Sequence, residues 1–129
     1  MGHVKIDTER QARAYSQTYA LNTASGVRAI LRDRHVIGSR RFRGDTAASD
    51  IIIDLHSAIE SAELSAHQAE VIAWLYGLDL TQETAARIMG ISRPAVTQLC
   101  DAALERIAAV FSRWKYESVT VEADEGVAA

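Results

Sequence analysis

Cysteine, proline and glycine are scarce in this chain of 129 residues, which holds one Cys, one Pro and seven Gly. A lone cysteine excludes an internal disulfide, and without a CxxC pair or a Cys/His cluster there is no structural zinc framework. Collagen-like and mucin-like classes fall with the low proline and glycine. Long hydrophobic runs are missing too: the longest, Val71 to Leu78, is well short of the roughly 20 residues of a spanning helix, so no membrane partner is expected. The opening Met1-Gly2-His3-Val4-Lys5 has no apolar region behind its charge, which predicts no signal peptide and a cytoplasmic location. What is present, 48% hydrophobic and 24% charged residues, is the composition of a globular domain, or of a small domain with a flanking arm.

Catalytic constellations are equally absent. His3, His35, His56 and His67 are scattered, and His56 beside Asp54 or Glu60 reads as helix surface rather than as a general base. No Ser/His/Asp set, HExxH or phosphate-cradling glycine loop occurs, so the chain reads as a non-enzyme with no cofactor and no metal. Cys100 reads as a small buried hydrophobe, since no cation stands a helical turn away in sequence to lower its pKa.

Charge is distributed in blocks. Residues 1–44 carry nine Lys/Arg against three Asp/Glu, residues 45–86 carry eight Asp/Glu and no Lys/Arg, and residues 87–116 carry five basic and two acidic side chains. The tail from Glu117 is acidic. The densest basic run is Arg28, Arg32, Arg34, Arg40, Arg41 and Arg43, opposed by Asp33 alone. It has two readings: an arm contacting phosphates, or a solvated face or intramolecular partner for the acidic block.

Apolar periodicity predicts an all-α fold, a helix-turn-helix domain of four helices with an N-terminal helical arm. Ala12, Tyr15, Tyr19 and Asn22 fall at helical steps and predict a helix over 8–22. A Thr-Ala-Ser-Gly break at 23–26 precedes a short helix to about His35, and Gly38 to Gly44 reads as a basic loop. Further helices are expected over 49–62, from a Ser65 cap to Gly77, from Thr81 to Met89, and from Ser92 to about Lys115. Val119 to Glu122 is the one stretch where a strand competes, and the tail from Glu122 reads as unstructured. The organisation expected is a basic helical arm over 1–44, the helix-turn-helix domain over 45–116 and an acidic tail over 117–129.

The segment from Gln82 to Leu99 has helix-turn-helix spacing. Ala86 is small where two helices cross closely, Gly90 supplies the positive φ of the tight turn, and Ala85, Met89, Ile91, Val96 and Leu99 are the packing positions. Ser92 caps the second helix and Pro94 falls in its first turn, where a missing N–H costs nothing. With Val96 and Leu99 inward, Arg93, Thr97, Gln98 and Asp101 point outward. In a major-groove reader Gln98 would bridge adenine N6 and N7, Thr97 would meet a thymine methyl or a phosphate, and Arg93 would reach guanine or backbone. Asp101 would either accept from a cytosine N4 or lie beyond the groove. The DNA-binding set expected is Gln82, Ser92, Arg93, Thr97, Gln98 and Asp101, with Arg40, Arg41 and Arg43 from the basic run.

From Asp50 to Trp114 the chain resembles region four of bacterial primary-type sigma factors and the short phage-encoded regulators built on it. The matching pieces are Asp54-Leu55 with Ala58-Ile59, Leu64 to Ile72, Leu80-Thr81-Gln82-Glu83, Gly90-Ile91-Ser92-Arg93, and Ala103 to Ile107 in a long last helix. The resemblance implies duplex DNA recognition through that helix and, in full sigma factors, a contact to the RNA polymerase flap. Two departures stand out. Residues 1–48 are too short and too poor in aromatics for the promoter-melting module of a full sigma factor, and Thr84 replaces the acidic residue of a capping box with Thr81.

The function expected is therefore a sequence-specific double-stranded DNA-binding transcription regulator. Alternatives are an interaction module contacting RNA polymerase, for which the acidic block is suited, and a small terminase-type packaging subunit, although those usually place the DNA-binding module first. A homodimer is expected, because one recognition helix on an acidic chain binds DNA weakly; its seam would be Tyr15, Tyr19, Phe111 and Trp114.

Overall fold

The computed structural model describes residues 14–40, 46–116 and 118–124. In chain order the elements are strand β1 (Ala14–Tyr19), helix α1 (Ala24–Arg40), helix α2 (Thr46–Ser61), helix α3 (Ala66–Ile72) prolonged by a π-helical turn over Ala73–Gly77, helix α4 (Gln82–Met89), helix α5 (Arg93–Arg113) and strand β2 (Val119–Asp124). The fold is all-α apart from one antiparallel ribbon formed by the two strands, which adds Tyr19 to the buried core.

Helix α5 is the spine. Its buried residues Val96, Cys100, Ala103, Leu104, Ile107, Ala108, Val110 and Phe111 recur at steps of three and four, so the apolar stripe follows the helix for about four turns. Helices α1, α2, α3 and α4 all pack on it. They contribute Val27, Ile30 and Leu31 from α1, Leu55 and Ala58 from α2, Val71 and Ile72 from α3, and Ala85 and Ala86 from α4 to one buried cluster. Polar bonds close the ends of these elements. Arg106 Nε on α5 donates to the Ala62 carbonyl just beyond α2 (3.1 Å), and the Tyr116 hydroxyl donates to Asp54 on α2. The Tyr116 ring meets Phe111 edge-on at 5.2 Å. Among the described residues no helix is long and apolar enough to cross a membrane.

Four expectations need correction. The helix predicted over 8–22 is, from Ala14 to Tyr19, a strand paired with Val119–Asp124 in the register Ala14↔Asp124 to Tyr19↔Val119. Residues 8–13 lie outside the described residues. Tyrosine and threonine favour extended backbone, and a partner strand from the far end of the sequence overrides the helical spacing. Second, α1 does not stop at His35 but runs through Gly38 to Arg40, because Ile37 continues its buried stripe at 1% exposure. Residues 41–44 of the expected loop lie outside the described residues. Third, Glu122 to Asp124 belong to β2 rather than to an unstructured tail.

The fourth correction concerns the dimer seam. Tyr19 is 1% and Phe111 0% exposed, both inside the chain's own core, while Trp114 alone of the described seam side chains keeps substantial exposure at 41%. The Tyr19 hydroxyl is also committed within the chain, donating to Asp33 Oδ2 at 2.8 Å.

Candidate nucleic-acid interface

Short-range caps set the geometry of the α4–α5 pair. Thr81 Oγ1 accepts from the Thr84 N–H (3.1 Å) and donates to the Thr84 hydroxyl (3.0 Å), so Thr84 gives the cap a partner even without a carboxylate. At the other end Gly90 takes φ 69° and ψ 32°. Its N–H donates to the Arg87 carbonyl (3.3 Å) and the Ile91 N–H to the Ala86 carbonyl (3.0 Å), the paired bonds of a Schellman closure. Ser92 then restarts the helix: its Oγ accepts from the Ala95 N–H at 3.2 Å, and Pro94 sits in the first turn. An equivalent device opens α3, where Ser65 and Gln68 form a reciprocal capping box.

This frame leaves one side of the start of α5 uncovered. Ser92, Arg93, Gln98 and Asp101 are exposed, and Thr97 and Gln82 are half-buried at its edge. The last two are bonded: Thr97 Oγ1 donates to Gln82 Oε1 at 2.7 Å, pinning α5 to the N-terminus of α4. With its proton so used, Thr97 keeps its methyl group for a base but has nothing to donate to a phosphate. Gln98 shares a shallow depression with Ile91, Ala95, Leu99 and, from α3, His67. No sequence signal points to His67 at this face, since its neighbours there come from a different helix.

Asp101 has a partner that spacing along the chain could not show. The Arg28 guanidinium on α1 reaches it at 2.7 Å, with side chains 42% and 53% exposed respectively. Burial, the largest single influence, pulls the Arg28 pKa down, but the bond to Asp101 together with the electrostatic pull of Tyr76, Cys100 and Asp101 raises it further, and the group is held above its ordinary value. Under this pair, burial pushes up both the Tyr76 hydroxyl and the Cys100 thiol, with the nearby Arg28 charge acting the other way. Cys100 thus does have a cationic neighbour, supplied by another helix, yet burial dominates and the thiol stays protonated.

The described arginines of the basic run have separate partners. Arg28 goes to α5, Arg34 donates to the Tyr76 carbonyl at the π-helical turn, and Arg32 Nε lies 3.2 Å from Asp33 Oδ1. Arg40 is the last residue of α1, and Arg41 and Arg43 lie outside the described residues. Among the described residues no group of three or more His, Cys, Asp or Glu is placed to hold a metal ion.

Residues 62–109 match the family model for sigma-70, region 4, a DNA-binding and non-enzymatic helix-turn-helix domain. No curated protein and no solved structure matches the chain.

Proposed function

We propose that this chain, in which residues 62–109 form a helix-turn-helix of the sigma-70 region 4 type, is a sequence-specific transcription regulator that lays the start of α5 in the major groove of duplex DNA. The observation that carries this reading is the uncovered face of Arg93 and Gln98, held rigid by the Gly90 closure, the Ser92 cap and the Thr97–Gln82 bond. A rigid helix start with an amide and a guanidinium outward has the chemistry for adenine and guanine edges. Ser92 and Gln82, at the starts of α5 and α4, face the adjoining backbone, where helix N-termini favour phosphate. Arg40, Arg41 and Arg43 add phosphate contacts without sequence information.

A second reading, a contact to RNA polymerase, is favoured by the acidic block. Asp50, Glu60, Glu63 and Glu70 are exposed on α2, α3 and the turn between them, and residues 45–86 hold no Lys or Arg to neutralise them. Such a face repels DNA and suits a basic protein surface.

Selection of preferred duplexes from a randomised library, followed by binding measurements with Gln98→Ala, tests the first reading. A loss of about 1–3 kcal/mol on the preferred duplex with little change on mixed sequence is expected. Equal losses on both would remove Gln98 from the base-reading set.

A further inference from the structure

Residues 62–109 contain three Arg, no Lys and six Asp/Glu. An acidic module has little to offer a polyanion, because phosphate contacts supply most of non-specific affinity. Two of those arginines are already engaged: Arg87 lies 3.6 Å from Glu83, and Arg106 closes the end of α2. That leaves Arg93 on the uncovered face, beside a carboxylate, Asp101, that would repel the duplex. The missing cation comes from outside the segment, from α1.

We infer that Arg28 is a phosphate-contacting residue of the DNA interface, and that Asp101 is a positioning residue that holds it there rather than a reader of bases. This rests on the duplex-binding reading above. Asp101 lies one helical turn beyond Thr97 and three residues beyond Gln98, so it belongs to the same face of α5. The Arg28 Nη2 bond to Asp101 Oδ1, at 2.7 Å, brings the guanidinium to the edge of that face and cancels the charge that would push phosphate away. One N–H direction is spent on Asp101, and the guanidinium fork has others to offer a phosphate oxygen. Both side chains are about half exposed, and an exposed pair of this kind adds little stability, so packing does not explain it. The groups beneath, Tyr76 and Cys100, also touch the guanidinium, and burial holds the hydroxyl and the thiol above their ordinary values, so neither brings a negative charge to the face.

The test is fluorescence anisotropy of a labelled mixed-sequence duplex, titrated with the full chain over a salt series. Arg28→Ala is expected to lower the slope of log affinity against log salt by about 0.9, the release from one phosphate, and to weaken preferred and mixed duplexes alike. Arg28→Lys is expected to keep the slope, since the charge remains. Asp101→Asn is expected to leave base preference unchanged at every position of a library selection. An unchanged slope for a folded Arg28→Ala or Arg28→Gln chain, with folding checked by circular dichroism melting, overturns the inference. Loss of a cytosine preference in Asp101→Asn overturns it equally, because it would return Asp101 to base reading. The underlying reading fails separately: a parent chain that binds no duplex removes both, whereas a slope flattened by Arg93→Ala and untouched by Arg28→Ala removes the role of Arg28 alone.

Discussion

Between Ser65 and Val96 the caps of the chain are made by residues three or four positions apart, such as Ser65 with Gln68, Thr81 with Thr84 and Ser92 with Ala95. On either side, α1 has a local cap too, Thr23 Oγ1 accepting from the Gly26 N–H at 3.1 Å, but bonds of long reach are added. Arg34 of α1 reaches across 42 residues to Tyr76, Arg28 across 73 to Asp101, and Thr18 of β1 across 102 to Thr120. The difference teaches that the helix-turn-helix is written in local chemistry, while β1 and β2 take their form from a distant partner and α1 combines a local cap with long-range bonds. One glycine in each region shows the contrast. Gly90 has a left-handed φ and nothing within 4 Å of where a Cβ would stand, so its need is conformational. Gly26, in the first turn of α1, would place a Cβ 1.9 Å from the Ala20 carbonyl oxygen, so its need is space.

The largest effect is expected at Gly26. Helix propensity alone predicts that Gly26→Ala gains about 1 kcal/mol, whereas the collision with backbone predicts a loss of about 3 kcal/mol. Urea unfolding gives the sign, and a gain would mean that β1 does not enter α1 as described. Next, Gly90→Val should cost about 2 kcal/mol through backbone strain alone, with no overpacking component. An unchanged melting temperature would break the claim that this turn is conformationally determined.

The smallest effect is at Tyr116, whose hydroxyl is pushed up to about 12 by its bond to Asp54, then by burial and the neighbouring carboxylate charges. A raised folded-state value means the contribution is complete below pH 10, the ordinary value, and lost as pH rises through about 12. Tyr116→Phe should therefore cost about 1 kcal/mol at neutral pH and flatten the decline in stability between pH 10 and about 12. A parallel decline in parent and variant would separate Tyr116 from Asp54.

The legibility of the sequence follows the same division. Gly90, Ser92, Pro94 and the Thr81 cap could be placed because each acts on its neighbours, and the observed helices α2 to α5 fall within a few residues of those expected. The helix over 8–22 failed because Tyr15 and Tyr19 also suit alternate positions of a strand, and what decides between the two periods is β2, at the other end of the chain. At the interface, the outward set on α5 could be read from its inward stripe. Arg28 against Asp101 and His67 beside Gln98 could not, since both depend on how separate helices pack.

The ribbon also bears on the order of folding. Joining β1 to β2 closes a loop of about a hundred residues, and the entropy of that closure is recovered only once the helices have already brought the two strands together. The ribbon is thus a late addition rather than a nucleus, and amide exchange in β1 and β2 should proceed through local opening that leaves α4 and α5 protected. A protein arranged this way can loosen its margins while the helix proposed to meet DNA stays formed.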